Sequence, residues 1–338
     1  MEVESRQSRG GARDAEARVR PGLHAPRPVF ASLPLCVKVP PVRACIIFNP
    51  SARGDKARHF LRHVRDFSGD AVLKPTDAAG HGRALAAQAV EEGFDTLVAA
   101  GGDGTVNEVL NGISDAPDGF ARARLAVLPL GTVNVFAREL ALPLKLAPAW
   151  QAIRAGRGRA VDLPSAEFTT GGKPRRRYFA QMAGAGLDSR AIELVDWEHK
   201  KRVAQLAYVI AGIRALRGPL PEVGCECATG DSASGRQVLI GNGRFYGGPL
   251  PVFHRARLDD GLLDVCVFPR ATVGTVLRYA AGYITRRVFP PRDMSYFQAA
   301  SLTLTSTART SFQLEGDVAG ELPVTFRVVP GALRVIVK

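Results

Sequence analysis

Residues 96–112 have the sequence TLVAAGGDGTVNEVLNG, in which an apolar run ends in a cluster of glycines. The run at 96–100 is short and apolar, as expected of a buried strand, and a helix is predicted to follow the glycines. Thr105 and Glu108 have capping-box spacing, which predicts that this helix begins near Thr105. Glycines at 101–105 allow a phosphate to approach the backbone close to the positive end of the helix. The stretch therefore predicts a phosphate-binding loop between a buried strand and a helix.

Two further loops of small and polar residues follow apolar runs in the same half of the chain. Residues 44–49 lead into the sequence NPS at 49–51, and residues 125–129 lead into GTVN at 131–134. Short apolar runs that alternate with helices, such as the helix predicted at 82–93, indicate a parallel sheet covered on both faces. The carboxyl ends of parallel strands meet at one edge, where open α/β sheets bind ligands. A tight turn that needs glycine for steric reasons alone is the alternative, and the two companion loops disfavour it.

The pattern changes after about residue 163. Many later stretches alternate apolar and polar residues, as in SLTLT and TFRVV, which is typical of half-buried antiparallel strands. Helices are predicted at 191–217 and 273–286. The predicted strands cover residues 178–183, 222–228, 236–242, 262–268, 301–305, 311–314, 324–329 and 333–337.

These patterns predict an α/β nucleotide-binding domain with a parallel sheet, followed by a mainly antiparallel β second domain. We place the first domain at 43–163 and the second at 164–338, with C-terminal strands that can pack back on the first domain. Residues 1–42 are rich in Arg, Gly and Pro and lack periodicity. That composition is typical of a disordered basic extension, and a start assigned too far upstream is the alternative.

The 338 residues carry a formal net charge of +13, which points to an anionic partner. The first 43 residues hold eight Lys and Arg against four Asp and Glu, so most of the excess lies beyond them. Nucleic acid, a phosphate-bearing substrate and an acidic membrane surface all fit this charge. Nucleic acid is disfavoured because aromatic residues make up only 7% and no recognition module is present in the sequence.

The cysteines and the apolar runs indicate the compartment. Five cysteines without framework spacing argue for a reducing environment. No apolar run reaches the length of a membrane span, and the N-terminus makes a poor signal peptide. We therefore expect a cytoplasmic protein whose membrane contact is peripheral, at the inner membrane face.

Two predicted helices combine apolar stretches with basic edges. One has the apolar sequence VAQLAYVIAGI at 203–213 with basic residues at both ends. The other has Leu277, Tyr279, Tyr283 and Ile284 before the arginines at 286–287. Such helices can rest on an anionic bilayer, or their apolar faces can belong to the core of the second domain.

Three stretches resemble the diacylglycerol kinase catalytic domain family, which includes sphingosine kinases, ceramide kinases and bacterial lipid kinases. They are GGDGTVNEV at 101–109, PLGTVNVFAREL at 129–140 and NPSARGDKA at 49–57. The motif GGDGT alone is shared with nicotinamide-dinucleotide kinases, whereas its combination with the other loops is specific. The resemblance extends from about Arg43 to the C-terminus.

The resemblance implies that ATP binds between the α/β nucleotide-binding domain and the mainly β second domain. Asp103 is the residue whose role stays open, since a ribose hydroxyl, a metal ion and the acceptor hydroxyl are all candidate partners. Val135 departs from the family pattern, because many relatives have Asp at this position. The implied ATP-binding residues are Asn49, Ser51, Thr76, Gly101, Gly102, Asp103, Gly104, Thr105, Val106, Asn107 and Thr132.

The sequence FQLEGDVAGELP at 312–323 resembles the family's C-terminal Asp-Gly-Glu element, which carries the proposed base. The resemblance implies that Glu315 accepts the proton of the lipid hydroxyl and that Asp317 is a supporting carboxylate. Asp103 completes the implied catalytic set. From the residues alone, a hairpin turn is the favoured interpretation of Glu-Gly-Asp.

The sequence FYGGPLPVFHRARLDDGLLD at 245–264 resembles a metal-binding element of bacterial relatives. The resemblance implies a Mg²⁺ site formed by the Arg257 carbonyl, the Asp260 carboxylate and the Leu262 carbonyl. A turn that leads into a strand is the alternative. A second Mg²⁺ is expected to accompany ATP, near Asp103 or Asp317. The sequence AGAGLD at 183–188 resembles the family's Gly-x-Gly-x-Asp element, which implies that Asp188 lies near the acceptor or metal. From the residues alone, close helix–strand packing is the favoured interpretation.

We therefore predict an ATP-dependent lipid kinase that phosphorylates diacylglycerol or a related single-hydroxyl lipid. ATP and Mg²⁺ are the predicted cofactors, and the predicted partner is a lipid substrate at an anionic membrane surface rather than nucleic acid. The sequence leaves open whether the protein forms a homodimer. A soluble enzyme of the NAD-kinase type and a non-catalytic regulator that binds lipid or nucleotide are the alternatives.

Overall fold

The computed structural model of the protein describes residues 43–51, 55–194, 204–287 and 292–338. The extension predicted at 1–42 lies outside the described residues. So do Ala52 and Arg53 of the first loop, and the basic residues at 200–202.

The first half of the described chain alternates strands and helices. Strands β1 to β4 pair in the parallel order β2-β1-β3-β4, which confirms the predicted parallel sheet. The elements are β1 (Ala44–Phe48), α1 (Asp55–Ser68), β2 (Val72–Pro75), α2 (His81–Glu91), β3 (Thr96–Gly101), α3 (Asp103–Asp115), α4 (Gly119–Arg122), β4 (Arg124–Pro129), α5 (Val135–Glu139) and α6 (Leu146–Ala155).

Both faces of this parallel sheet are covered, as its apolar strands require. In β1, Cys45 and Ile47 belong to the cluster that includes residues of α2 and α3. Ile46 belongs to a second cluster, which includes Phe60 of α1 and Trp150 of α6. Because successive strand residues point to opposite faces, every residue of β1 contributes to one of these two cores.

The second half is built mainly from antiparallel strands, as predicted. Strands β12-β11-β10-β7-β14-β15 form a six-stranded antiparallel sheet. The elements are β5 (Gly158–Thr170), β6 (Lys173–Tyr178), β7 (Met182–Gly186), α7 (Leu187–Glu193), α8 (Ala204–Ala215), β8 (Val223–Cys227), β9 (Ser232–Gly235), β10 (Gln237–Gly241), β11 (Leu263–Phe268), α9 (Val273–Thr285), β12 (Ser295–Ala299), β13 (Ser301–Ser306), β14 (Ser311–Leu314), β15 (Asp317–Glu321) and β16 (Val324–Ile336).

Strand β16 joins the two halves of the chain. It pairs antiparallel with β5 and β13 and parallel with β4, where Val335 lies opposite Leu125. The sequence predicted two strands here, at 324–329 and 333–337, but the structure has one strand with a register shift between Val329 and Leu333. Gly331, at φ 61°, occupies this irregularity, and its N–H donates to the Asp162 carboxylate.

The strand predicted at 178–183 is wrong in its boundaries, because β6 ends at Tyr178 and β7 begins at Met182. Strands β5 and β6 were not predicted. β6 has the sequence KPRRRY and is mostly exposed, so it lacks apolar alternation, and β5 contains Pro164. β5 pairs along β16, which local sequence cannot reveal, and β6 pairs with β5 in a hairpin.

Candidate active site

The glycine-rich loop after β3 and the loop after β4 lie against each other. The N–H groups of Leu130 and Gly131 donate to the Gly101 carbonyl at 2.9 and 3.2 Å. A Cβ on Gly131 would lie only 2.6 Å from the Gly102 Cα, so this approach requires glycine. The two loops therefore lie side by side at the carboxyl ends of the parallel strands β3 and β4.

Helix α3 begins at Asp103, and the capping-box prediction is wrong. Gly102 is the N-cap and contributes no side-chain hydrogen bond. The Glu108 carboxylate instead accepts from the N–H groups of Gly80 and Gly82, at 2.9 Å each, at the start of α2. Because α3 begins at Asp103 with Gly102 as its N-cap, Glu108 lies beyond the third helical position that a capping box requires. Its carboxylate instead satisfies unpaired N–H groups of the neighbouring helix.

Asp103 connects the glycine-rich loop to the start of α5. Its Oδ1 accepts from the Phe136 N–H at 3.2 Å. Burial raises the pKa of the Asp103 carboxyl, and hydrogen bonds from the Val135 and Phe136 amides oppose this shift. The structure thus gives Asp103 a partner that the sequence did not suggest, a helix start within the chain itself.

Four of the predicted ATP-binding residues lie at the ends of β1, β2 and β4. Asn49 and Ser51 are exposed after β1, where the Ser51 N–H donates to Asn49 Oδ1 at 2.8 Å. Thr76 is buried directly after β2, and its N–H donates to the Phe48 carbonyl at 2.8 Å. Thr132 is exposed in the loop after β4.

Two of the predicted ATP-binding residues, Val106 and Asn107, have side chains that pack or hydrogen-bond within the protein. Val106 is buried in the core, and its N–H donates to the Gly102 carbonyl within α3. Asn107 is buried, and its Oδ1 accepts from Asn111 Nδ2 at 2.7 Å. Gly104, in the first turn of α3, is exposed.

Glu315 occupies the turn of the β14–β15 hairpin together with Gly316. Their φ angles of 55° and 86° are both positive, as in a two-residue type I′ turn. The hairpin expected from composition is therefore present, and it carries the carboxylate into a buried position. Glu315 is only 8% exposed.

The Glu315 carboxylate is held through one oxygen. Its Oε1 accepts from the N–H groups of Ala180 and Gln181 at 2.7 Å each. Its Oε2 has no hydrogen-bond partner among the residues that the structure describes. Burial raises the pKa of Glu315 to about 8, the Gln181 amide opposes the shift, and the negative charge of Asp103 adds to it. A buried base with a free oxygen therefore lies within electrostatic reach of the glycine-rich loop.

Asp317, the predicted supporting carboxylate, lies at the start of β15 and is exposed. Its charge acts on Arg177, whose pKa is lowered by burial and by the nearby Arg83 and raised by Asp317. The structure thus brings Glu315 and Asp103 into one electrostatic environment, while Asp317 faces the surface of the hairpin.

Asn111 is a site residue that sequence reasoning missed. Its Oδ1 accepts from the Tyr178 N–H and its Nδ2 donates to the Tyr178 carbonyl, both at 2.9 Å. It therefore pairs α3 with the backbone just before Ala180 and Gln181, the residues that hold Glu315. The available signal was a pair of asparagines one turn apart, Asn107 and Asn111, on the buried face of the helix.

Glu139 at the end of α5 is a second missed residue. Its Oε1 accepts from Arg244 Nε at 3.1 Å, and its Oε2 accepts from Gln181 Nε2 and the Phe245 N–H at 3.2 Å each. The Glu139 side chain is only 5% exposed. Because Asp103 binds the start of α5 and Glu139 binds Gln181, this short helix connects the glycine-rich loop to the residues around Glu315.

Asp188 belongs to a buried polar chain. The Tyr246 hydroxyl donates to Asp188 Oδ2 at 2.6 Å, and Gln313 Nε2 donates to the same hydroxyl at 2.7 Å. The Gln313 Oε1 in turn accepts from the Gly316 N–H at 2.8 Å. Burial raises the pKa of Asp188, while its hydrogen bonds to Tyr246 and Gln313 lower it. The chain therefore ends at the Glu315–Gly316 turn.

The predicted Mg²⁺ ligands lie in the turn before β11. Asp260 Oδ1 accepts from the Leu262 N–H at 3.0 Å. Burial raises the pKa of Asp260, the Leu262 amide opposes this, and the charge of Asp162 adds to it. The buried Asp162 carboxylate accepts from the Gly261 N–H at 2.7 Å. A cation would relieve the repulsion between these two carboxylates, so the donor set fits Mg²⁺.

No group of three or more His, Cys, Asp or Glu side chains that could hold a metal ion occurs among the described residues. A metal in this turn would therefore depend on the backbone carbonyls of Arg257 and Leu262 as well as on Asp260. Such a set is ordinary for hard cations that prefer oxygen ligands.

Comparison with known proteins gives matches over both halves of the chain. Residues 43–166 match the model described as diacylglycerol kinase catalytic domain, and residues 181–337 match the YegS C-terminal NAD kinase beta sandwich-like domain. A Pseudomonas aeruginosa (strain UCBPP-PA14) protein named "Probable lipid kinase YegS-like" is 30% identical over 297 residues, which cover 86% of this chain and 92% of that protein. The Bacillus subtilis (strain 168) protein named "Diacylglycerol kinase" is 28% identical, with coverage of 84% and 92%.

The fold also has relatives among solved structures. The crystal structure of a diacylglycerol kinase from Bacillus anthracis superposes with a TM-score of 0.64 at 21% identity, covering 88% of this chain and 97% of that one. This likeness shows the fold. Together with the sequence matches, it establishes that the chain belongs to the diacylglycerol kinase catalytic domain family.

Proposed function

We propose that the protein is an ATP-dependent lipid kinase that transfers the γ-phosphate of ATP to the hydroxyl of diacylglycerol or a related lipid. The observation that carries the proposal is the buried Glu315 carboxylate, with one free oxygen and a pKa near 8, close to Asp103 of the glycine-rich loop. Family membership supports the same function, since the matched relatives are named as lipid kinases.

In the proposed reaction, Glu315 accepts the proton of the lipid hydroxyl through Oε2 while the hydroxyl oxygen attacks the γ-phosphorus. The bond between the γ-phosphorus and the β,γ-bridging oxygen breaks, and ADP leaves with the bond's electron pair. The amides of Ala180 and Gln181 fix the other oxygen, so the carboxylate stays oriented. A pKa near physiological pH suits a general base, which must be both ionised and basic. In this proposal the first N–H groups of α3, which have no partner within the helix, bind phosphate, and α5 links this loop to the residues around Glu315.

Mg²⁺ supplies charge neutralisation at the phosphates when it is bound with ATP. Asp103 is the residue that would hold it, because Asp103 and Glu315 are carboxylates in one buried environment and a cation offsets their repulsion. A separate Mg²⁺ at Asp260, Arg257 and Leu262 has a structural role in this proposal.

A kinase assay tests the proposal against its alternatives. Labelled ATP is offered with a detergent-solubilised total lipid extract, with purified diacylglycerol and with NAD, and products are identified by mass. We expect a phosphorylated lipid. Labelled NADP without labelled lipid would support the enzyme of the NAD-kinase type, which the family matches do not favour. No product from a broad lipid panel would support the non-catalytic regulator.

The metal site gives a prediction that needs no activity. Mg²⁺ is expected to raise the melting temperature of the protein by a few degrees, since a ligand at about 100 times its Kd stabilises the folded state by about 2.7 kcal/mol. Asp260→Asn is expected to abolish this increase. Asp259→Asn is the control, because Asp259 is not a proposed ligand and its carboxylate pairs with the side chains of Arg159 and Arg257. An increase that persists in Asp260→Asn would remove Asp260 from the site.

The proposed location is the inner membrane face, with peripheral attachment. None of the helices in the described part of the chain is both long enough and apolar enough to cross a bilayer. The net charge of +13 supports attraction to anionic headgroups.

A further inference from the structure

Helix α9 exposes large apolar side chains on its outer face. Val273, Leu277 and Ile284 are 48, 54 and 82% exposed. At 100° per residue, these three positions and the exposed Ala281 lie in one row along the helix. In the described part of the chain, this row holds three of the eight large apolar residues that are exposed. The clustering on one element is the feature that needs an explanation.

The opposite face of α9 already accounts for the packing of the helix. Thr275, Val276 and Gly282 are buried. A Cβ on Gly212 of α8 would lie 3.2 Å from Val276, and a Cβ on Gly282 would lie 3.1 Å from Leu250. The core of the second domain therefore uses the inner face alone. A helix that is apolar on both faces meets an apolar environment on its second face as well.

The charged residues on α9 and directly after it are all positive. The sequence of α9, VGTVLRYAAGYIT, contains no acidic residue, and Arg278 is exposed on it. Arg286 and Arg287 are exposed directly after the helix. Before the helix, the exposed Arg270 lies 4.0 Å from the Asp293 carboxylate, so the net positive charge is concentrated at the C-terminal end of α9. Apolar side chains flanked by long basic ones match the boundary of an anionic bilayer. The apolar side chains enter below the headgroups, and the basic side chains reach the lipid phosphates.

We propose that the outer row of α9, with Arg278, Arg286 and Arg287, docks the protein on the surface of an anionic phospholipid bilayer. This inference rests on the proposed lipid kinase function, which gives the docking its biological purpose. The test of the inference measures vesicle binding and does not depend on that function. Tyr279 on the inner side of α9 packs against the apolar cluster that contains Tyr246. Because Tyr246 belongs to the polar chain that ends at the Glu315–Gly316 turn, docking through α9 brings this part of the second domain to the membrane that holds the substrate.

Vesicle co-sedimentation tests the docking surface. Full-length protein is mixed with phosphatidylcholine vesicles with and without phosphatidylglycerol. We expect the unmodified protein to bind the anionic vesicles, and Leu277→Gln/Ile284→Gln to bind them at least about ten-fold more weakly, since each buried apolar side chain contributes more than a factor of ten. Val72→Gln/Val329→Gln is the matched control, because these side chains are 43 and 49% exposed on other elements. Arg286→Gln/Arg287→Gln is expected to remove the preference for phosphatidylglycerol.

Several results would overturn the docking proposal. These are unmodified protein that does not bind anionic vesicles, unchanged binding by Leu277→Gln/Ile284→Gln, or equal loss in the control. The outer row could instead join two copies of the chain. In that case Leu277→Gln/Ile284→Gln would dissociate a dimer in analytical sedimentation and leave vesicle binding unchanged.

A kinase assay on detergent-dispersed lipid separates this inference from the proposed function. The α9 variants are expected to keep full activity there, because the detergent removes the need for a bilayer. If the protein had no kinase activity but still bound vesicles through the outer row of α9, the proposed function would be rejected and the docking surface would be retained.

Discussion

Replacing Glu315 by Gln is expected to lower kcat by about 10²- to 10⁴-fold, the range typical of a lost general base. Gln keeps the size of the side chain and an oxygen for the Ala180 and Gln181 amides, so the hairpin retains its main contacts. In Gln, however, an NH₂ group replaces the free carboxylate oxygen Oε2, and this group cannot accept the proton of the lipid hydroxyl. The KM for ATP is expected to change little, because the substitution lies where the lipid hydroxyl is expected to bind and not at the nucleotide. Single-turnover phosphorylation of detergent-dispersed diacylglycerol measures the effect.

Glu321→Gln is the control for this variant. Glu321 lies on the same hairpin, but it is exposed and forms a surface ion pair with Arg309. Such pairs contribute little to stability, so its activity is expected to equal that of the unmodified protein. A Glu315→Gln enzyme with the same kcat as the control would exclude Glu315 as the base.

The ionisation of Glu315 adds a pH signature to the same variant. As a base, it is active when ionised, so kcat/KM of the unmodified protein is expected to rise with pH through about 8. Its folded pKa lies above the ordinary value of 4.5, so the folded state binds the proton more tightly than the unfolded state. This stabilising contribution is full below pH 4.5 and is lost as the pH rises to about 8. The free energy of unfolding of Glu315→Gln should lack that decline.

The sequence predicted those parts of the fold that local pattern determines. Short apolar runs and glycine clusters correctly indicated β3, β4 and their loops, because buried parallel strands need continuous apolar sequence. The hairpin at Glu315 was also predictable, since Glu-Gly-Asp has turn composition. What composition could not reveal was the burial of Glu315, which depends on Ala180 and Gln181, more than 130 residues away.

The missed contacts are all of this long-range kind. Glu108 has the spacing of a cap for its own helix, yet it binds the start of α2. Asn111 and Glu139 bind backbone and side chains that lie 67 and 42 residues distant. Sequence spacing reports neighbours along one helix, whereas these partners are chosen by how helices pack on the sheets. Strand β5 was missed for the same reason, because its partner β16 lies at the far end of the chain. Strand β6 pairs with the adjacent β5 and was missed because its sequence lacks apolar alternation.

Gly131→Ala is expected to have the second largest effect, through the contact between the two loops at the sheet edge. The new Cβ would lie 2.6 Å from the Gly102 Cα and 2.8 Å from Asn134 Oδ1. The backbone at Gly102 cannot move away cheaply, since Gly101 accepts hydrogen bonds from Leu130 and Gly131. Overpacking of this kind costs about 1–3 kcal/mol of stability, which urea unfolding measures.

The same substitution should also weaken ATP binding, because the displaced segment leads directly into α5. Asn134 lies directly before α5, Asp103 binds the start of the helix and Glu139 at its end binds Gln181. A shift at Gly131 therefore moves the glycine-rich loop relative to Glu315. A misfit of about 1.4 kcal/mol in the bound state lowers ATP affinity about ten-fold, which titration calorimetry can detect.

Gly158→Ala is the control for both measurements. A Cβ at Gly158 would meet no atom within 4 Å, and its φ is not in the left-handed region. Its stability and ATP affinity are expected to match those of the unmodified protein. If Gly131→Ala binds ATP as tightly as this control while unfolding earlier, the contact between the loops serves folding alone, and the link from the glycine-rich loop through α5 to Glu315 has no part in binding the nucleotide.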